Sequence, residues 1–298
     1  MALGYRTARV DDLERAQTLI VASINDLTER HGLGPMASVR PPHFQAFSLR
    51  DDPDGLWIAE EGEAVLGCAF SWACEDFWFL AELFVSPDQQ GRGIGRELLT
   101  RTFQHADKVK ATRRALITFA FNRVSQALYI KHGIFPRMPV YFFSTEREAL
   151  PQKPAAAGLR PAAIEMSHID SLERIDKAAL GFSRAKHHRF LIGDDALKGA
   201  LLYADNDCVG YVYVSKGGHI GPLAATRRDV LDAAFCMGLA LAADVGARQV
   251  SAFIPGTAEA ALSAAVRHGM RITFPMLLMS SRDFGDWARY LPRNPGFM

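Results

Sequence analysis

Three glycines interleaved with arginine, Gly91-Arg92-Gly93-Ile94-Gly95-Arg96, are the residues whose types and spacing most directly imply chemistry. Glycine lets a backbone approach a ligand closely. The start of a helix presents N–H groups that lack an intrahelical acceptor, at the positive end of the helix dipole. A loop of this kind leading into a helix binds phosphate. Arg92 and Arg96 add full positive charge at the same place. A Walker loop would end in Gly-Lys-Ser/Thr, whereas Gly95 is followed by Arg96 and Glu97. A dinucleotide fingerprint would need Gly-x-Gly-x-x-Gly after the first strand of its unit. Here the spacing differs and several strands come first.

The elements around the loop suit its task. An apolar strand ends at Val85, Pro87 stops it, and an amphipathic helix carrying Leu98 and Leu99 follows. The scaffold is then written a second time. Asp12-Leu-Glu-Arg15 has a counterpart in Ser171-Leu-Glu-Arg174, and the strand–turn–strand pattern Leu56–Gly67 one in Leu201–Gly210. Lys131-His-Gly-Ile134 matches Arg267-His-Gly-Met270, each a helix stopping on glycine before an apolar strand. Between the copies, from Ser144 to Pro161, apolar periodicity gives way to a Pro/Ala/Gly-rich stretch with the composition of a linker. The expected domains are 1–145 and 159–298, joined by a linker at 146–158. Where the first copy has its glycine loop, the second has Ile220-Gly-Pro-Leu-Ala-Ala-Thr-Arg-Arg-Asp-Val-Leu231. That stretch keeps a strand and a helix but no Gly-x-Gly, which assigns phosphate binding to the first copy.

Composition narrows the class. The 298 residues are 49% hydrophobic and 22% charged, enough apolar material for a real core. A net charge of +1 gives no footprint for nucleic acid. The most apolar helical stretch, Leu231 to Val245, is interrupted by Asp232 and Asp244 and is too short to span a bilayer. The residues after Met1 form no apolar signal core, and Cys68, Cys74, Cys208 and Cys236 have no metal-ligand spacing. The expectation is a cytoplasmic protein with buried thiols, no metal, and no nucleic-acid or membrane partner. The choice between monomer and homodimer is not written in the chain.

Gln90-Gly-Arg-Gly93-Ile-Gly95, preceded by Glu82-Leu-Phe-Val-Ser-Pro87 and followed by the Leu98-Leu99 helix, resembles the Gln/Arg-x-x-Gly-x-Gly block of the GNAT (GCN5-related) N-acetyltransferases. A second block of that family is similar to Asn122-Arg-Val-Ser125-Gln-Ala-Leu-Tyr129-Ile-Lys-His-Gly133-Ile-Phe135. The two blocks, in order, cover about the first half. The second half resembles the same fold only through its hairpin and its closing helix and strand. Asp176 with Gly181-Phe-Ser-Arg184 also looks like a pattern found in C-terminal halves of tandem members. The resemblance implies an α/β chain of two tandem GNAT-like domains, each a mixed, mostly antiparallel sheet flanked by helices.

It also implies roles. Two parallel strands, here Phe79 to Val85 and Ala115 to Phe121, would splay to admit acetyl-CoA as co-substrate. Backbone groups at Phe84 and Val85 would pair with the pantetheine arm as an added strand would. The N–H groups of Gly91, Arg92, Gly93, Ile94, Gly95 and Arg96, with the Gln90 side chain nearby, would hold the pyrophosphate. Asn122 would contact pantetheine, or cap a helix, or do both. Ser125 and Tyr129, one helical turn apart, would both face the cleft. Tyr129 would supply a proton to the departing thiolate, and Glu82 would accept one from the amine.

The expected activity is direct acetyl transfer to the amine of a small molecule, with no acyl-enzyme. Two alternatives stand beside it: acetylation of a protein N-terminus or lysine, and acyl-CoA sensing without turnover. Among other residues, Glu75 and Asp76 are candidates for holding a cationic acceptor. Phe70, Trp72, Phe77, Trp78 and Phe79 read mainly as core, some lining the acceptor pocket. His187 and His188 sit among Arg184, Lys186 and Arg189 and read as a solvated basic face, with Arg184 a candidate for binding an acidic substrate group.

Overall fold

The computed structural model describes residues 3–150 and 158–298, so most of the expected linker (151–157) lies outside the described residues. The chain divides into two compact units. One comprises the chain up to Ile117 with Phe121–Phe135 and Ser280–Arg282; the other comprises Thr118–Ala120, Pro136–Met279 and Asp283–Met298. The first division falls ahead of the boundary expected at residue 145.

In chain order the first unit contains β1 (Gly4–Thr7), α1 (Leu13–Arg30), α2 (His43–Asp51), β2 (Leu56–Glu61), β3 (Ala64–Cys74), β4 (Phe77–Val85), α3 (Ile94–Lys108), β5 (Arg113–Phe119) as far as Ile117, and α4 (Arg123–Lys131). Strands β1 to β4 pair antiparallel in succession, and β5 lies parallel to β4, as a crossover through a helix allows. Alternation along the strands supplies both faces. Ile58, Cys68 and Phe70 pack with Leu13, Ala16 and Ile20 of α1, whose three- and four-residue spacing makes one apolar stripe. On the opposite face Ala59 and Ala69 pack with Ile94 and Leu98 of α3.

The second unit holds β6 (Phe135–Glu146) from Pro136 on, β7 (Arg160–Ala163), α5 (Ile169–Leu180), α6 (Ala185–Ile192), β8 (Leu197–Ala204), β9 (Asp207–Ser215), β10 (His219–Ala225), α7 (Leu231–Asp244), β11 (Gln249–Pro255), α8 (Glu259–Arg267), β12 (Arg271–Ser280) and β13 (Tyr290–Leu291). Strands β7 to β10 repeat the antiparallel succession of β1 to β4, and β11 is parallel to β10 as β5 is to β4. Each unit therefore has the mixed, mostly antiparallel sheet that was expected. One strand goes where its place in the sequence did not indicate. β6 follows the last helix of the first copy, yet it pairs antiparallel with β11, from Glu146↔Gln249 to Val140↔Pro255. Among the described residues no helix is long and apolar enough to cross a membrane.

Candidate active site

The site is built on an irregularity in β4. Phe70 stands opposite Glu82 but Ser71 stands opposite Leu80, so Ala81 is an extra residue in the strand. Such a bulge bends the strand and re-aims the side chains beside it. The parallel ladder to β5 ends at the same place, at Leu80↔Leu116. The β4–β5 ladder thus stops before Glu82, Phe84 and Val85, which stay paired with β3. The carbonyl of Val85 accepts from Ser23 Oγ and from Gln90 Nε2, both at 3.2 Å. The Gln90 side chain is therefore turned back onto β4.

The glycine loop follows. Gly91 and Gly93 adopt φ of 86° and 85°, left-handed values that side chains rarely tolerate. A Cβ on Gly91 would meet nothing within 4 Å, so the backbone there is open on one side. Gly93 caps α3, and the first intrahelical bond runs from Glu97 N–H to Gly93 O at 3.1 Å. The N–H groups of Ile94, Gly95 and Arg96 precede that bond and have no intrahelical acceptor. Gly95 is different from the other two. It is already helical, and a Cβ there would make ordinary contact with Val85 Cγ2 at 3.5 Å. Arg92 is partly neutralised by Glu61, 3.7 Å away, whereas Arg96 makes no ion pair among the described residues. An open cradle, unsatisfied N–H donors and a free guanidinium fit a pyrophosphate.

Asn122 caps α4, its Oδ1 accepting from Ser125 N–H at 3.2 Å. Tyr129 is buried one turn further on. Burial pushes the Tyr129 hydroxyl well above its ordinary range, the nearby Ser125 side chain acting in the opposite direction.

Glu82 faces a cavity walled by Phe44, Gln45 and Ser48 of α2 and by Phe70 and Trp72 of β3, with about 200 Å³ of free space counting its open mouth. Gln45 Nε2 donates to Glu82 Oε1 at 2.7 Å, while Oε2 is buried and makes no hydrogen bond among the described residues. Burial pushes the Glu82 carboxyl up to about 7, the Gln45 bond working against it. A carboxyl poised there exchanges protons at neutral pH.

Sequence reasoning did not reach α2. Phe44, Gln45 and Ser48 share one face by helical spacing, but nothing local says what that face meets. Asp76, a candidate for holding a cationic acceptor, is engaged by Arg113 and Thr112 instead. Of the aromatics, Phe70 and Trp72 line the cavity, and Phe77, Trp78 and Phe79 are core.

The second unit corrects two expectations. His187 and His188 are buried, not solvated. Arg184 is buried as well and binds Asp176 with two N–O contacts of 3.0 Å. His188 Nε2 lies 2.9 Å from Asp176 Oδ2, Tyr211 donates to Oδ1 at 2.5 Å, and Arg184 also donates to the carbonyl of Met298. Burial alone would raise the Asp176 carboxyl; the charges of Arg184 and His188 hold it far below its usual range. Arg184 is thus committed to a closed internal network. The counter-charge lies on α5 in the same short sequence pattern; what the pattern did not show is that packing buries both residues together.

Residues 22–134 match the family model described as acetyltransferase (GNAT) family. Residues 22–134 are a GNAT acetyltransferase domain. Domains of this family use acetyl-CoA, and the loop, the bulged β4 and α4 of this GNAT domain are the parts described above. Among solved structures, a putative acetyltransferase from Pyrococcus horikoshii is similar over 99% of this chain and 96% of its own, at 21% identity and a TM-score of 0.77. A GCN5-related N-acetyltransferase from Sphaerobacter thermophilus matches over 95% of this chain and 97% of its own, at 17% identity and a TM-score of 0.64. A tandem GNAT protein from the clavulanic acid biosynthesis pathway covers 95% and 99%, at 15% identity and a TM-score of 0.61. At these identities the likeness is one of fold, and it extends the GNAT architecture over both units. No curated protein matches the chain in sequence.

Proposed function

We propose that the first unit transfers an acetyl group from acetyl-CoA directly to the amine of a small molecule. The observation that carries this reading is Glu82, a carboxyl poised at about 7 with one unpaired oxygen at the wall of a cavity beside the bulge of β4. Acetyl-CoA supplies an activated thioester carbonyl. The N–H groups of Ile94, Gly95 and Arg96, with the Arg96 side chain, would hold its pyrophosphate, and the edge of β4 near Phe84 and Val85 its pantetheine arm.

Glu82 takes a proton from the incoming ammonium, and the neutral amine attacks the thioester carbon. The N–C bond forms and the C–S bond breaks, and the second proton shed by the attacking nitrogen passes to the departing sulfur to give the CoA thiol. Tyr129 keeps its proton at any physiological pH, so its hydroxyl serves as a hydrogen-bond donor to that sulfur as charge develops there. Direct transfer is favoured over an acyl-enzyme because burial pushes the Cys68 thiol well up, away from the nucleophilic thiolate form. The narrow, aromatic-walled cavity favours a small amine over a protein chain. Four free cysteines among the described residues fit a reducing, cytoplasmic setting.

The test is CoA release from acetyl-CoA across a panel of small amines and peptides. Release with a small amine that is lost in Glu82→Gln supports the reading. Acetylation of peptides only, or full activity in Glu82→Gln, overturns it.

A further inference from the structure

The cavity beside Glu82 contains a second buried polar atom that the reaction does not use. Ser48 lies on α2 one turn beyond Phe44 and Gln45, is 4% exposed, and its Oγ makes no hydrogen bond among the described residues. Its hydroxyl and Glu82 Oε2 are thus both unpaired, and both residues line the same space. A buried polar atom without a partner costs on the order of 1–3 kcal/mol, so native structures satisfy such atoms with water or ligand. Phe44, Gln45, Phe70, Ser71, Trp72 and Ala81 complete the lining, the Ser71 hydroxyl being engaged by Gly55 and His105, and among the described residues no basic side chain lines the cavity. Its enclosed part has room for a group about the size of one water molecule, which is also the size of an amine nitrogen.

We propose that Ser48 is a specificity-determining residue: with Glu82 it seats the amine of an acceptor whose neighbouring carbons are apolar and uncharged, such as an arylalkylamine. The ammonium has enough N–H bonds to donate to both Glu82 Oε2 and Ser48 Oγ. Gln45 fixes which carboxylate oxygen is available by engaging the other. An acceptor with a carboxylate beside its amine would bring that charge against aromatic walls and Glu82 with no cation to pair it, and is disfavoured. An amine on a ring or short apolar arm leaves only apolar surface for Phe44 and Trp72 to cover.

This inference rests on the reading of the first unit as an acetyltransferase, and the experiment separates the two. Phenethylamine, glutamate and spermidine are compared as acceptors by CoA release, and phenethylamine binding is measured by calorimetry in the presence of CoA. Phenethylamine is expected to have the highest kcat/KM. Ser48→Ala is expected to raise its KM and weaken its binding about 10-fold, the loss of one hydrogen bond to a charged group. The same variant should keep kcat within about twofold, and it should not lower the melting temperature, because the hydroxyl it removes has no protein partner. A purely structural serine would move the melting temperature and not KM. Unchanged KM and binding in Ser48→Ala, or glutamate as the best acceptor, overturns the proposal. If no amine is turned over, the acetyltransferase reading fails, and calorimetry still decides the seat: wild-type binding weakened by Ser48→Ala upholds it, and no binding by the wild type ends it.

Discussion

At the scale of single residues, the chemistry turns on the environment of Glu82. With ionised Glu82 as the proposed base, kcat/KM is expected to rise with pH and level off above an apparent pKa of about 7. Because the Gln45 bond lowers that value, Gln45→Leu should move the limb of the pH–rate profile to higher pH. A profile unmoved in Gln45→Leu would show that the contact is idle. The same burial acts on stability. The folded carboxyl titrates above the ordinary value of 4.5, so the native state holds a proton that the unfolded chain has released. Glu82 therefore costs stability progressively as pH rises from 4.5 to about 7. Tyr129→Phe keeps the ring and loses the donor. It should lower kcat by about 100-fold with acetyl-CoA affinity intact, and stopped-flow turnover alongside a binding titration separates these two effects. Glu82 and Tyr129 were legible as candidates from their places in the sequence blocks. Ser48 and Gln45 were not, because a polar residue in an amphipathic helix acquires meaning only from the surface that helix covers.

At the scale of elements, the loop between β4 and α3 divides its glycines into two kinds. Gly91 and Gly93 are there for backbone conformation, whereas Gly95 is already helical and has room for a methyl group beside Val85. Gly93→Val forces a branched side chain into a left-handed conformation at the helix cap. It is expected to abolish acetyl-CoA binding in a calorimetric titration, whereas Gly95→Ala should bind with an affinity within about fivefold of wild type, the added methyl making only an ordinary contact with Val85. Equal losses in both would mean that the first turn of α3, and not the conformation of the loop, sets affinity. The loop was readable because glycine spacing and the strand and helix around it are local signals. The bulge at Ala81 was not: it is defined by which β3 residue stands opposite, and no residue of β4 declares it. β6 makes the same point, since its partner β11 lies about a hundred residues away along the chain.

At the scale of the whole molecule, the second unit keeps the scaffold and invests its polar residues inward. Asp176, Arg184, His188 and Tyr211 form a closed network where a ligand-binding role for Arg184 had been expected. Asp176→Asn would leave the Arg184 charge buried without its partner. The variant is expected to lose about 3–5 kcal/mol, seen as an earlier denaturant midpoint for the second unit. Since the folded Asp176 carboxyl is held far below its unfolded value, its contribution is present above the ordinary carboxylate range. It is lost as pH falls toward the folded value, so the wild type should weaken more steeply than the variant in strong acid. A variant as stable as wild type would show that the network adds nothing to the fold. By itself, the sequence determined the repeat, the single glycine loop, the family resemblance and the order of elements, because each is encoded in residues a few positions apart. Tertiary structure alone decided the pairing of β6, the bulge that aims Glu82, the face of α2 at the cavity and the burial of Arg184. Each of these depends on which distant surfaces exclude water together, and burial sets the protonation of Glu82 and the pairing of Asp176.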